Sequence, residues 1–133
     1  MSRRKARELA FKALFQVDLV KGDVNKALDD LLEEHYLSNK DSEFARSLAL
    51  GTLEHLREID QWISRFSPEW PLERMSTVDR NLLRMATYEM LYVDDVHPVI
   101  AIDEAVDMAK KYGDENSKNF VNAILDKIRE ENE

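Results

Sequence analysis

The clearest chemical arrangement in this sequence is a run of cations at its start. Arg3, Arg4, Lys5, Arg7 and Lys12 place five positive charges in the first twelve residues, against the single acid Glu8. The other 121 residues hold 14 basic and 26 acidic groups, so a tip of net +4 opens a body of net −12 within a total of −8. Such a tip draws polyanions while the body repels them, and clustered Arg and Lys suit a phosphate backbone. The competing reading is a solvated basic tail with no partner.

Catalytic and metal chemistry find little support. His35, His55 and His97 show no metal-ligand spacing, and His55 falls on an apolar helical face, where an ordinary core histidine is expected. The chain has no cysteine, which removes disulfides, thiolate metal sites and thiol nucleophiles. Gly22, Gly51 and Gly113 each stand alone, so no glycine-rich loop cradles phosphate, and no GxSxG nucleophile setting occurs. The pairs Glu33–Glu34, Asp94–Asp95 and Asp103–Glu104 read as caps or solvated faces. Glu89 lies within an apolar arc and must be paired or stand at a helix end, because isolated burial of a carboxylate is costly. No cofactor and no enzyme activity are expected.

The elements that carry these residues are helical throughout. With 133 residues, 44 % of them hydrophobic and 35 % charged, the length and composition suit one domain or two subdomains sharing a core. Residues 3–20 set Ala6, Ala10, Ala13, Leu14 and Val17 on one face, with Lys5, Lys12 and Gln16 opposite. Gly22 stops this helix and Asp23 caps a second, built on Val24, Ala27, Leu28, Leu31 and Leu32. A long third helix is expected over 41–66, with Gly51 marking a close backbone approach. Pro68 and Pro71 break the chain over 67–76, the expected boundary between halves. Ser76 and Asp79 form a weak capping box for a fourth helix to Val93. Pro98 opens a fifth, which Gly113 ends, and Ser117 caps the last. The expected fold class is all-α: two three-helix bundles, 1–66 and 77–133, packed into one compact domain.

No run of about 18 apolar residues spans a membrane, and Glu8, Lys12, Gln16 and Asp18 interrupt any signal-peptide core. A cytoplasmic protein with no membrane partner is expected.

Four stretches, RRKARELAFKALFQ (3–16), LGTLEHLREIDQWI (50–63), DRNLLRMATYEML (79–91) and VIAIDEAVDMAKKYGDENSKNFVNAILDK (99–127), together resemble the NusB family of bacterial transcription antitermination factors. The resemblance covers nearly the whole chain in unbroken order. It implies two three-helix bundles and binding of the boxA element of ribosomal RNA leaders, jointly with the ribosomal protein NusE. It also implies entry into a complex with NusA, NusG and RNA polymerase that suppresses premature termination. Some family members pair with themselves when free.

Carried onto this sequence, the resemblance assigns phosphate contacts to Arg3, Arg4, Lys5 and Arg7, with Lys12 continuing the basic stripe. It assigns a second RNA patch to Asn116, Ser117, Lys118, Asn119 and Phe120, where helix N–H groups favour phosphate and an aromatic can stack on a base. Phe120 can equally be a core residue. The NusE surface falls on Phe15, Glu73 and Asp79, although Asp79 can equally serve only to cap its helix. The family's FVNG stands here as FVNA, at 120–123. Two other classes compete with the RNA-binding adaptor. One is a helical interaction scaffold that never touches RNA. The other is the NusB-like part of an RNA cytosine methyltransferase, disfavoured without a cysteine nucleophile or a glycine-rich cofactor loop.

Overall fold

The computed structural model describes residues 2–133, and among these it contains seven α-helices, one 3-10 turn and no strand. The contacts divide the chain into two compact units, the first ending at Glu54 and the second running from His55 to Glu133.

The first unit consists of α1 (Arg3–Val20), α2 (Val24–Glu34) and α3 (Asn39–Glu54). Ala6, Leu9, Ala10, Ala13 and Leu14 of α1 are buried, and α1 packs against both α3 and α2. Five of the six buried hydrophobics of α3 and α2 are also small or Leu (Ala27, Leu28, Ala45, Leu48, Ala49), which lets the helices approach closely. Lys21, in the left-handed conformation with φ 57°, ends α1. Asp23 caps α2 by accepting the Asn25 amide at 3.0 Å, and Ser38 caps α3 by accepting the Asp41 amide at 3.1 Å.

The second unit consists of α4 (Leu56–Arg65), a 3-10 turn (Leu72–Arg74), α5 (Thr77–Tyr92), α6 (Pro98–Tyr112) and α7 (Ser117–Asn132). Ile59 and Ile63 of α4 face α5, and the α5, α6 and α7 stripes close around Leu82, Leu83, Ile102, Val121, Leu125 and Ile128. Arg84 of α5 grips both carboxylate oxygens of Asp60 on α4, at 2.9 and 3.0 Å. Glu89 is only 1 % exposed and is engaged there, as a buried carboxylate has to be. Arg80 donates to the carbonyls of Leu72 and Met75 at 2.9 and 3.1 Å, pinning the loop that precedes α5. Among the described residues, no helix is long and apolar enough to cross a membrane.

Two expectations need correction. The single helix over 41–66 is two helices, broken at His55 (φ −107°, ψ 19°), so the second unit has four helices rather than three. The units accordingly divide at His55 and not in the proline loop, because α4 packs on α5 and α7. One turn before the break, the Thr52 hydroxyl donates to the Leu48 carbonyl at 2.6 Å, a back-bond of the kind that bends helices. The break also moves His55 out of the core. Its ring is half-exposed and stacks on Tyr92, with centroids 4.1 Å apart.

Candidate nucleic-acid interface

The basic cluster sits on the first turns of α1, a helix that opens with no side-chain cap and no acid in its first turn. Its amide dipoles therefore add to the positive field of the side chains. The five cations differ in what they present. Arg4 is exposed, whereas Arg3 is half-buried with its guanidinium 4.2 Å above the Phe44 ring. Arg7, one turn on, lies 5.3 Å from the same ring and is only 5 % exposed. Lys5 forms an ion pair with Glu8 at 3.1 Å but keeps 40 % of its side chain in solvent, and Lys12 is half-buried.

Phe44 thus holds two guanidinium groups of α1 against α3, a cation–π arrangement worth about 0.5–2 kcal/mol per contact. The sequence treats the cations as equivalent. The fold makes Arg7 part of the packing, because its position one turn after Arg3 points it at α3 rather than at solvent. The surface-facing cations at this end are Arg4, Lys5 and the edge of Arg3.

In the second unit, the residues assigned to the second RNA patch fall at the start of α7. Lys118 and Asn119 are exposed. Ser117 is buried at 1 % exposure and acts inside the fold. Its Oγ accepts the Asp114 amide at 3.1 Å and its hydroxyl donates to Asp114 Oδ1, 3.3 Å away, beside the Asp79 carboxylate. The residue at the cap position is Asn116, not Ser117, and it makes no side-chain capping bond. Gly113 makes this junction possible. A Cβ there would stand 2.5 Å from Ser117 Cβ and 2.9 Å from the Ala109 carbonyl. Its φ of −94° shows that the glycine is needed for space and not for a left-handed backbone.

Phe120 is half-buried, which fits neither a core residue nor a bare platform. It lines an open groove of about 650 Å³ together with Trp70, Arg74, Asp79, Asp114 and Asn116. Asp79 and Phe120, assigned by sequence to two different surfaces, therefore share one. Asp79 sits in the first turn of α5, its amide donating to Ser76 Oγ at 3.1 Å, so the expected cap is present. Burial raises its carboxyl pKa above the ordinary value, and the neighbouring charge of Asp114 adds to this, while the Ser117 and Ser76 hydroxyls pull the other way. Its Oδ1 is buried without a hydrogen-bond partner.

Glu73 is exposed on the 3-10 turn, and Phe15 is half-buried on α1, its ring 6.1 Å from that of Phe11. Sequence reasoning missed Trp70, which is 49 % exposed. An aromatic between Pro68 and Pro71, outside any helical stripe, was the available signal. Among the described residues no group of three or more His, Cys, Asp or Glu side chains could hold a metal ion.

Comparison with known proteins places this geometry. The model of the NusB family matches residues 4–130. The transcription antitermination protein NusB of Syntrophomonas wolfei subsp. wolfei is 59 % identical over 128 residues, covering 96 % of each chain. A solved structure of T. maritima NusB superposes with a TM-score of 0.93 at 46 % identity, covering 98 % of this chain and 92 % of the other. A crystal structure of the antitermination factors NusB and NusE in complex with double-stranded RNA contains a chain that matches with a TM-score of 0.89 at 30 % identity. There the coverage is 97 % of this chain and 96 % of that one.

Proposed function

Because this chain belongs to the NusB family, we propose that it is an RNA-binding transcription antitermination factor that takes the boxA element of ribosomal RNA leaders together with the ribosomal protein NusE. The observation that carries the reading is the cationic, uncapped start of α1 on an otherwise acidic chain. Phosphates are drawn to Arg3, Arg4 and Lys5, with Lys12 extending the track, while Arg7 holds the helix start in place through Phe44. Lys118, Asn119 and Phe120 supply a second contact on α7, with Ser117 positioning them from inside. Phe15, Glu73 and Asp79 receive NusE, whose basic character as an RNA-binding ribosomal protein suits the two acids.

Phosphate contacts fix register and orientation but carry no base code, so the cations alone do not select boxA. Selectivity then comes from base contacts and from the partner, which adds positive charge beside a body that repels RNA. The factor acts by binding and not by catalysis. It works in the cytoplasm, where it joins NusA, NusG and RNA polymerase on the nascent transcript.

The test compares a boxA-containing single-stranded RNA with a scrambled one, with and without NusE, at one fixed salt concentration. The expected order puts boxA with NusE tightest, boxA alone weaker and scrambled RNA weakest. Equal affinity across all four conditions overturns the composite site, and no binding in any of them favours an interaction scaffold without RNA contact.

A further inference from the structure

Tyr36 is 99 % exposed, while the next most exposed large hydrophobic residue among those described, Val20, is 64 % exposed. A tyrosine buries its ring readily when a packing surface is near, and here it stands wholly in water. It does so on a short connection that is clamped on both sides. Before it, the His35 ring nitrogen Nδ1 meets the Leu31 carbonyl at 2.9 Å, closing the end of α2. After it, Ser38 caps α3 through the Asp41 amide, and the Ser42 amide donates to the Ser38 carbonyl at 2.9 Å. The ring is therefore presented from fixed backbone, which lowers the ordering cost of a contact.

The connection lies at the cationic end of the first unit. Arg3 and Arg7 of α1 reach Phe44, which lies only five residues into α3. Those five residues rise about 7.5 Å, and the three from Tyr36 to the start of α3 span at most about 11 Å. The Tyr36 Cα thus stands within about 18 Å of the Cα of Phe44, whose ring carries the guanidinium groups. Five or six nucleotides, at about 3.4 Å or more each, cover that distance.

We propose that Tyr36 is a stacking residue for a base of the single-stranded RNA whose phosphates lie on the start of α1. This rests on the RNA-binding reading above and adds to it a contact that carries no charge. Glu33 and Glu34 precede Tyr36 and repel phosphate, while the exposed Lys40 follows it, so the contact the uncharged ring itself can offer a strand is to a base. Every base has a flat face, and stacking on an aromatic ring tolerates any sequence. The tyrosine anchors one end of the strand while the cations hold the other.

The experiment measures the affinity of the full chain with NusE for a boxA-containing single-stranded RNA over a series of salt concentrations. Wild type is compared with Tyr36→Ala, Tyr36→Phe and the triple Arg3→Ala, Arg4→Ala, Lys5→Ala variant. Tyr36→Ala is expected to weaken binding about fivefold or more at every salt concentration, with the slope against salt unchanged. Tyr36→Phe keeps wild-type affinity, because the ring face does the stacking. A smaller loss for Tyr36→Ala, a changed slope, or an equal loss for Tyr36→Phe overturns the proposal. If Tyr36→Ala leaves RNA affinity intact but weakens NusE binding, the residue is a protein contact and the proposal is again overturned. The triple variant separates the two readings: an effect of the cations without one of Tyr36 refutes only the stacking. Absence of wild-type RNA binding refutes both.

Discussion

Gly113→Ala tests the junction that positions the start of α7. The added Cβ would lie 2.5 Å from Ser117 Cβ and 2.9 Å from the Ala109 carbonyl oxygen, and neither is the end of a flexible side chain. Backbone or helix must shift, and overpacking of this kind costs about 1–3 kcal/mol. The shift also pulls the Ser117 hydroxyl from Asp114, leaving a buried hydroxyl short of its partner, so the total expected loss is about 2–4 kcal/mol. Chemical denaturation reads this as a lower midpoint with an unchanged slope. The cause is isolated by repeating the substitution in a Ser117→Gly background, which removes the nearer obstacle. There the penalty of Gly113→Ala falls by at least about 1 kcal/mol, a coupling that independent sites would not show. A penalty below about 0.5 kcal/mol in the wild-type background, or an equal penalty in both, would refute the packing argument.

Asp79→Asn is expected to stabilise the chain at neutral pH. Burial raises the folded carboxyl above its ordinary value of 3.8, so the folded chain keeps that proton to a higher pH than the unfolded chain does. Stability therefore falls as pH rises from 3.8 through the raised value and stays lower above it. The gain of the variant disappears below that window, and denaturation midpoints at pH 7 and pH 3 check it. A gain equal at both would be inconsistent with titration of Asp79. Arg7→Ala and Arg4→Ala should separate packing from binding. The first loses about 1–2 kcal/mol of stability with little change in salt dependence, and the second loses almost no stability but one phosphate contact. Arg84→Ala breaks the two bonds to Asp60 and is expected to cost about 1–3 kcal/mol on thermal or chemical unfolding, since both side chains are largely shielded from water.

Much of this molecule is legible in its sequence, because helical periodicity and cap residues are local signals. Asp23, Ser76 and Pro98 mark helix starts where α2, α5 and α6 begin, and Gly113 marks the end of α6. The break at His55 is not legible in the same way, since no proline or glycine stands there. Only the back-bond of Thr52 and the different partners of α3 and α4 explain it. Similar reasons hide the division of labour in the basic cluster. Charge type and spacing locate the cluster, but the ring of Phe44, 37 residues beyond Arg7, decides that Arg7 is buried while Arg4 is exposed. Ser117 has the type and position of a helix cap, yet it is buried, its hydroxyl bonded to Asp114 beside Asp79 of a different helix. Trp70 and Tyr36 lie outside helical stripes, where periodicity says nothing about exposure.

Electrostatic landing of RNA on the start of α1 is tested most directly by the salt dependence of binding to a single strand. Each phosphate contact contributes about 0.7 to the slope of log affinity against log salt, so replacing Arg3, Arg4 and Lys5 by Ala should flatten that slope by about 2. A slope that the triple substitution leaves unchanged would contradict the account, because the phosphates would then be held elsewhere.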